Sequence, residues 1–217
     1  MSCAGLFKDK RVMRLGGGML LLLVGLLGFM RKVEHASHGS LAPQEGLGWG
    51  LFEQSNRFLD GYGTIQILAC DEDPSVETLS TFKTLLRDAK GMTLLDVVTL
   101  EGRYDETQGD EPLDAGHFIL CLEAIPDADL VITFGGLPRL TKDEIVYVES
   151  LGAHFVSVSL DGILPDERWL SSGLLKALIL PKLQKVPLST FLPSTPTEWF
   201  EREYDLITTV QELRAWE

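Results

Sequence analysis

Three acidic side chains, Asp71, Glu72 and Asp73, close the apolar run in ILACDEDPS, and carboxylates in a row are where a metal or general acid–base work would be sought. Successive side chains of an extended segment diverge, so only Asp71 and Asp73 could converge on one cation, with water completing its shell. A calcium loop needs more oxygen donors at regular spacing, and none follow. Pro74 and Ser75 favour another use, in which Asp73 or Ser75 caps a helix whose amino end carries partial positive charge. Further along, Gly135 and Gly136 end the run DLVITF, and Ser159 and Asp161 end HFVSV. Asp71, Asp73, Gly135, Gly136, Ser159 and Asp161 form the candidate ligand-binding set.

No catalytic set accompanies them. His35, His38, His117 and His154 have no metal-ligand spacing. No G-x-S-x-G elbow, Walker loop or G-x-G-x-x-G occurs, and the GYG at 61–63 precedes the first strand, the wrong side for phosphate. No catalytic residue, metal or cofactor is expected. Cys70 and Cys121 lie in apolar runs and read as buried thiols or, if their strands adjoin, one disulfide.

These residues sit at the ends of a regular alternation. Thr64–Cys70, Met92–Leu100, Asp129–Phe134, His154–Leu160 and Ala177–Leu180 read as strands. Between them Ser75–Lys90, Leu113–Ala124, Thr141–Leu151 and Trp169–Lys176 have helical spacing, and Thr141 with Glu144 spells a capping box. Such alternation predicts an α/β fold, flavodoxin-like or half-Rossmann, with a mostly parallel sheet and helices on both faces. Ligands of such sheets bind beyond the carboxyl ends of the strands, where the candidate residues fall.

ILACDEDPS resembles the first strand and acidic pair of response-regulator receiver domains, DADLVITFGGLP their third strand and loop, and LILPK their terminal lysine. That resemblance implies a flavodoxin-like fold, and Asp71, Glu72, Phe134, Ser159 and Lys182 would take the places of the receiver site. Phe134 stands where the phosphoacceptor aspartate belongs and has no oxygen to attack phosphorus, so the resemblance implies no phosphotransfer. ADLVITFGG is also similar to one lobe of a periplasmic ligand-binding protein.

The rest of the chain bears on location. Residues 1–14 read as a short cytoplasmic terminus and 15–32 as a transmembrane signal anchor: sixteen uncharged residues from Leu15 to Met30 lie between Arg14 and Arg31-Lys32. At 1.5 Å per residue they span roughly 24 Å, which snorkelling basic side chains can extend. Gly16, Gly17, Gly18, Gly25 and Gly28 would let a partner helix approach, and the basic residues before the span place the following domain outside the cytoplasm. Residues 33–63 read as a partly packed linker with a short helix over Leu51–Leu59, and 64–183 as the sandwich. Residues 184–217 read as a proline-rich strap and tail whose Trp199, Phe200, Tyr204 and Trp216 would contact a partner.

Nineteen basic against thirty-two acidic residues give a net charge of -13, which excludes nucleic acid as a partner. The partners expected are the lipid bilayer and the other subunits of a membrane complex. The function expected is that of a non-catalytic, membrane-anchored accessory subunit of such a complex, of the respiratory or photosynthetic kind. The alternative is a membrane-tethered sensory or small-ligand-binding domain.

Overall fold

A computed structural model describes residues 42–69, 74–100, 113–125, 128–183 and 193–216. All but Ala42 belong to the compact unit Pro43–Glu217. The expected span and its glycines, Gly16, Gly17, Gly18, Gly25 and Gly28, lie outside the described residues. Among those residues no helix is long and apolar enough to cross a membrane.

The elements run α1 (Ala42–Leu59), β1 (Gly63–Ala69), α2 (Val76–Ala89), β2 (Met92–Thr99), α3 (Ala115–Ala124), β3 (Leu130–Phe134), α4 (Lys142–Ser150), β4 (His154–Val158), α5 (Arg168–Ser171), β5 (Leu175–Pro181), α6 (Pro196–Glu203), β6 (Tyr204–Ile207) and α7 (Val210–Trp216). They build one six-stranded sheet in the order β2-β1-β3-β4-β5-β6. The first five strands pair in parallel and β6 joins β5 antiparallel. The fold is thus α/β with a mostly parallel sheet, as the alternation predicts.

The central strands are mostly apolar because both of their faces are covered. Ile132, Phe134, Val156, Val158 and Ile179 pack with Leu47 and Leu51 of α1, Phe82 and Leu86 of α2 and Phe200 of α6. Leu68, Val131, Phe155, Leu178 and Leu180 pack on the opposite face with residues of α3, α4, α5 and α7. Each fully buried side chain of this size contributes roughly 1.5–3 kcal/mol. Thr133 and Ser157, both fully buried, satisfy each other by a hydroxyl hydrogen bond of 2.9 Å across β3 and β4.

Three segments differ from the sequence reading. The second half of the expected linker is the eighteen-residue helix α1. Its glycines are poor helix formers in isolation, but here they set the packing distance. A Cβ on Gly48 would lie 2.5 Å from the Thr78 carbonyl oxygen of α2, and one on Gly46 would lie 2.8 Å from the Phe200 nitrogen of α6. The expected helix Trp169–Lys176 is only α5, because the chain turns through Gly173 at φ 78° and continues as β5. The expected tail is integral to the fold: β6 extends the sheet, while Phe200, Ile207 and Leu213 are buried.

Candidate functional site

In the order β2-β1-β3-β4-β5 the chain starts in the interior and winds outward both ways, so the crossovers diverge between β1 and β3. Loops that part at this point leave a crevice beyond the strand ends. Asp71 and Asp73, on the β1 side, lie outside the described residues. Ser75 is the cap of α2, its Oγ accepting from the Thr78 N–H at 3.1 Å.

On the β3 side Gly135 and Gly136 adopt φ 88° and 91°, conformations that disfavour any residue with a Cβ. Both backbone N–H groups donate to the Val158 carbonyl, at 3.1 and 3.3 Å, so this turn is tied to β4. A Cβ on Gly136 would meet nothing within 4 Å, so its surroundings are open. Phe134, immediately before, is fully buried in the cluster that holds α1 and α2 side chains.

Ser159 and Asp161 close β4 together. The fully buried Ser159 hydroxyl shares its single hydrogen between two acceptors, Asp161 Oδ1 at 2.6 Å and the Ile163 carbonyl at 2.8 Å. Asp161 Oδ1 also accepts the Ile163 N–H at 3.0 Å. One carboxylate oxygen is therefore committed to the turn, and the second, Oδ2, has no donor among the described residues. The serine holds the aspartate, and the aspartate presents an acceptor. Leu160 and Ile163, 40% and 66% exposed, flank it with apolar surface.

Sequence reasoning missed the clamp beneath these loops. Trp169, fully buried, donates its indole N–H to the Pro138 carbonyl at 2.9 Å, joining the β3–α4 loop to α5. Its ring makes edge contacts with Phe118 and Phe155, at 6.0 and 5.2 Å between centroids. A tryptophan in a chain this acidic, next to a helix start, is the signal that could have found it. At the start of α5 Arg168 grips Asp166 through Nε and Nη2 and holds its carboxyl down at about 2.

Lys182 is turned to other work. Its ammonium donates to the Glu201 carbonyl at 2.5 Å and stands 3.9 Å from Asp205, so it braces α6 and β6. Among the described residues no group of three or more His, Cys, Asp or Glu side chains could hold a metal. Cys121 is a free thiol whose pKa is raised by burial.

No protein-family model matches the chain, and no curated protein matches it. Solved structures do. A sugar-binding protein of an ABC transporter from Bacillus halodurans superposes with a TM-score of 0.50 at 13% identity, over 80% of this chain and 64% of that one. An arabinose-binding protein from Geobacillus stearothermophilus superposes with a TM-score of 0.50 at 10% identity, over 80% and 63%. The chain therefore spans less than two thirds of the length of these structures, and at such identities the likeness is one of fold.

The expectation of an accessory subunit of a membrane complex, together with its receiver-like label, is corrected by these neighbours, which share the fold and are sugar-binding proteins. The expected partner contacts are corrected with it. Phe200 is 6% exposed and packs edge-on to Trp49 and stacked on Tyr204, while the Trp216 indole bonds Asp205 at 3.3 Å. Trp199 receives the Arg202 guanidinium at 5.7 Å from its ring. Aromatic residues read as anchors for other subunits serve to seat α6, β6 and α7 on their own sheet.

Proposed function

We propose that this chain is a non-catalytic, membrane-tethered ligand-binding module on the outer side of the membrane, and that it takes a small polyhydroxylated ligand of the sugar class at the carboxyl edge of its sheet. The observation that carries the reading is the divergence of crossovers between β1 and β3 in a fold shared with sugar-binding proteins. Sugar hydroxyls need acceptors held still beside apolar surface for the ring's C–H face. Asp161 Oδ2, oriented by Ser159 and flanked by Leu160 and Ile163, offers that combination. Gly135 and Gly136 keep the adjoining turn free of side chains, and Asp71 and Asp73 would supply acceptors from the β1 side.

The test is calorimetric titration of the full chain with a panel of pentoses, hexoses and cyclic polyols. At least one should bind saturably, and Asp161→Asn should weaken it about tenfold or more, since a hydrogen bond to a charged acceptor contributes about 1.5–3 kcal/mol. Absence of saturable binding to every member at millimolar concentration would reject the reading.

A further inference from the structure

A cavity of about 440 Å³ opens between the edge strand β2 and α3. Leu95, Asp96 and Val98 line it from β2, Cys121 and Ala124 from α3, and Gln66 from β1. Its origin is a bulge. Ile65 pairs with Leu94 and Ile67 with Val97, so β2 spends one residue more than β1 over the same step. Leu94 and Val97, three apart, consequently pack in the same cluster, which unbroken alternation would forbid.

Gln66 occupies the gap. It is 1% exposed, the one amide side chain in the otherwise apolar run of buried β1 residues. Its Nε2 donates to the Ile67 carbonyl at 3.0 Å and the Asp96 carbonyl at 2.9 Å, which uses both amide hydrogens and fixes the orientation of the group. Among the described residues nothing donates to Oε1. The acceptor is therefore left to face the cavity that Gln66 lines.

We propose that this cavity is a second small-molecule site, independent of the sugar reading, for a neutral and mostly apolar ligand with a single hydroxyl or N–H donor. The donor meets Gln66 Oε1 and the apolar body lies against Leu95, Val98, Ala124 and Cys121. Neutrality follows from the floor of the cavity. The one carboxylate among the lining residues, Asp96, is exposed and gives its Oδ1 to the Val97 N–H at 2.8 Å, so it lies in solvent, where it offers a buried cation little compensation. The volume falls within the range of small-molecule pockets.

The probe is 4-ethylphenol, compared on the full chain with its methyl ether, which has no donor, and with 4-ethylbenzylamine, which is charged. Binding is read from the Gln66 side-chain amide resonances and from protection of Cys121 against maleimide, resolved by peptide mapping. The phenol should shift the Gln66 signals and protect Cys121 with an affinity about tenfold above that of either comparator. Ala124→Phe, at an exposed position on the cavity mouth, should abolish protection without unfolding the protein. Equal binding of phenol and ether, tighter binding of the amine, or protection that survives Ala124→Phe would each overturn the proposal.

Discussion

On one face of the sheet α1 lies so close to α2 and α6 that Gly46, Gly48 and Gly50 have no room for a Cβ, whereas on the other α3 stands off far enough to leave a cavity of about 440 Å³. The spacing of the glycines explains the first arrangement. Residues four apart lie on one side of a helix, so Gly46 and Gly50 both meet α6, while Gly48 turns to α2. Gly46 and Gly48 meet backbone atoms, which cannot turn aside, and Gly50 meets the buried Phe200 ring. The α3 face relies instead on aromatic edge contacts around Trp169 and on hydrogen bonds to loops, which can give by small movements. The turn at Gly135 and Gly136 is tied to β4 through the Val158 carbonyl, and the loop that follows it is pinned to this second face by the Trp169 indole.

The hardest test of the contrast is a single methyl group. Gly48→Ala places carbon 2.5 Å from the Thr78 carbonyl oxygen and 2.9 Å from the Thr81 Cβ, so two helices must separate. Overpacking of this kind costs about 1–3 kcal/mol, and the upper end is expected because a backbone atom is struck. The larger change Ala124→Phe, on the cavity mouth, should leave stability within about 0.5 kcal/mol. Urea unfolding of both variants decides the matter. Equal losses would mean that the two faces do not differ.

A smaller effect sharpens the role of the clamp. Trp169→Phe keeps a ring between Phe118 and Phe155 but withdraws the N–H from the Pro138 carbonyl. A loss of about 1–2 kcal/mol is expected from the unmet carbonyl. Residues 135–140 should exchange their amide hydrogens faster, while α1 and α2 remain protected. Uniformly faster exchange on both faces would show the tryptophan to be only a packing residue.

Much of this arrangement was legible beforehand, for reasons that specific residues make plain. Strands covered on both faces are continuously apolar, which is why LVITF and HFVSV declared themselves. Thr141 and Glu144 form the reciprocal cap that their spacing announces. The turn residues Gly135, Gly136 and Asp161 were found by topology alone, since strand ends are where side chains become free. By contrast, α1 was hidden because GLGWG has low helix propensity, and tertiary packing overrode it. The β6 strand was hidden because four residues after a proline-rich stretch carry too little periodicity. Gln66 carried a usable signal, a lone amide within TIQILA, but its meaning depended on a bulge in another strand.

The smallest expected effect lies at the far end of the glycine-packed face, where α1 meets the sheet. The His154 ring stands 4.9 Å from that of Phe58, whose other contacts include the Lys176 ammonium 5.0 Å from its centroid. Nδ1 of His154 is buried with no hydrogen-bond partner among the described residues. Burial, and then the charge of Lys176, lower the histidine pKa from its ordinary 6.5. The unfolded chain therefore takes up this proton at a higher pH than the folded one. Stability should begin to fall as pH drops through about 6.5, and the loss should level off once the folded histidine also titrates. Carboxylates held low by hydrogen bonds, such as Asp166 at about 2 and Asp129 by Thr64, lose their contribution only in more acidic solution, which leaves the window from about pH 5 to 6.5 to the histidine. In that window His154→Leu should flatten the dependence of unfolding free energy on pH. A slope that persists in the variant would assign the proton to another group and leave the α1 end of this face insensitive to acid.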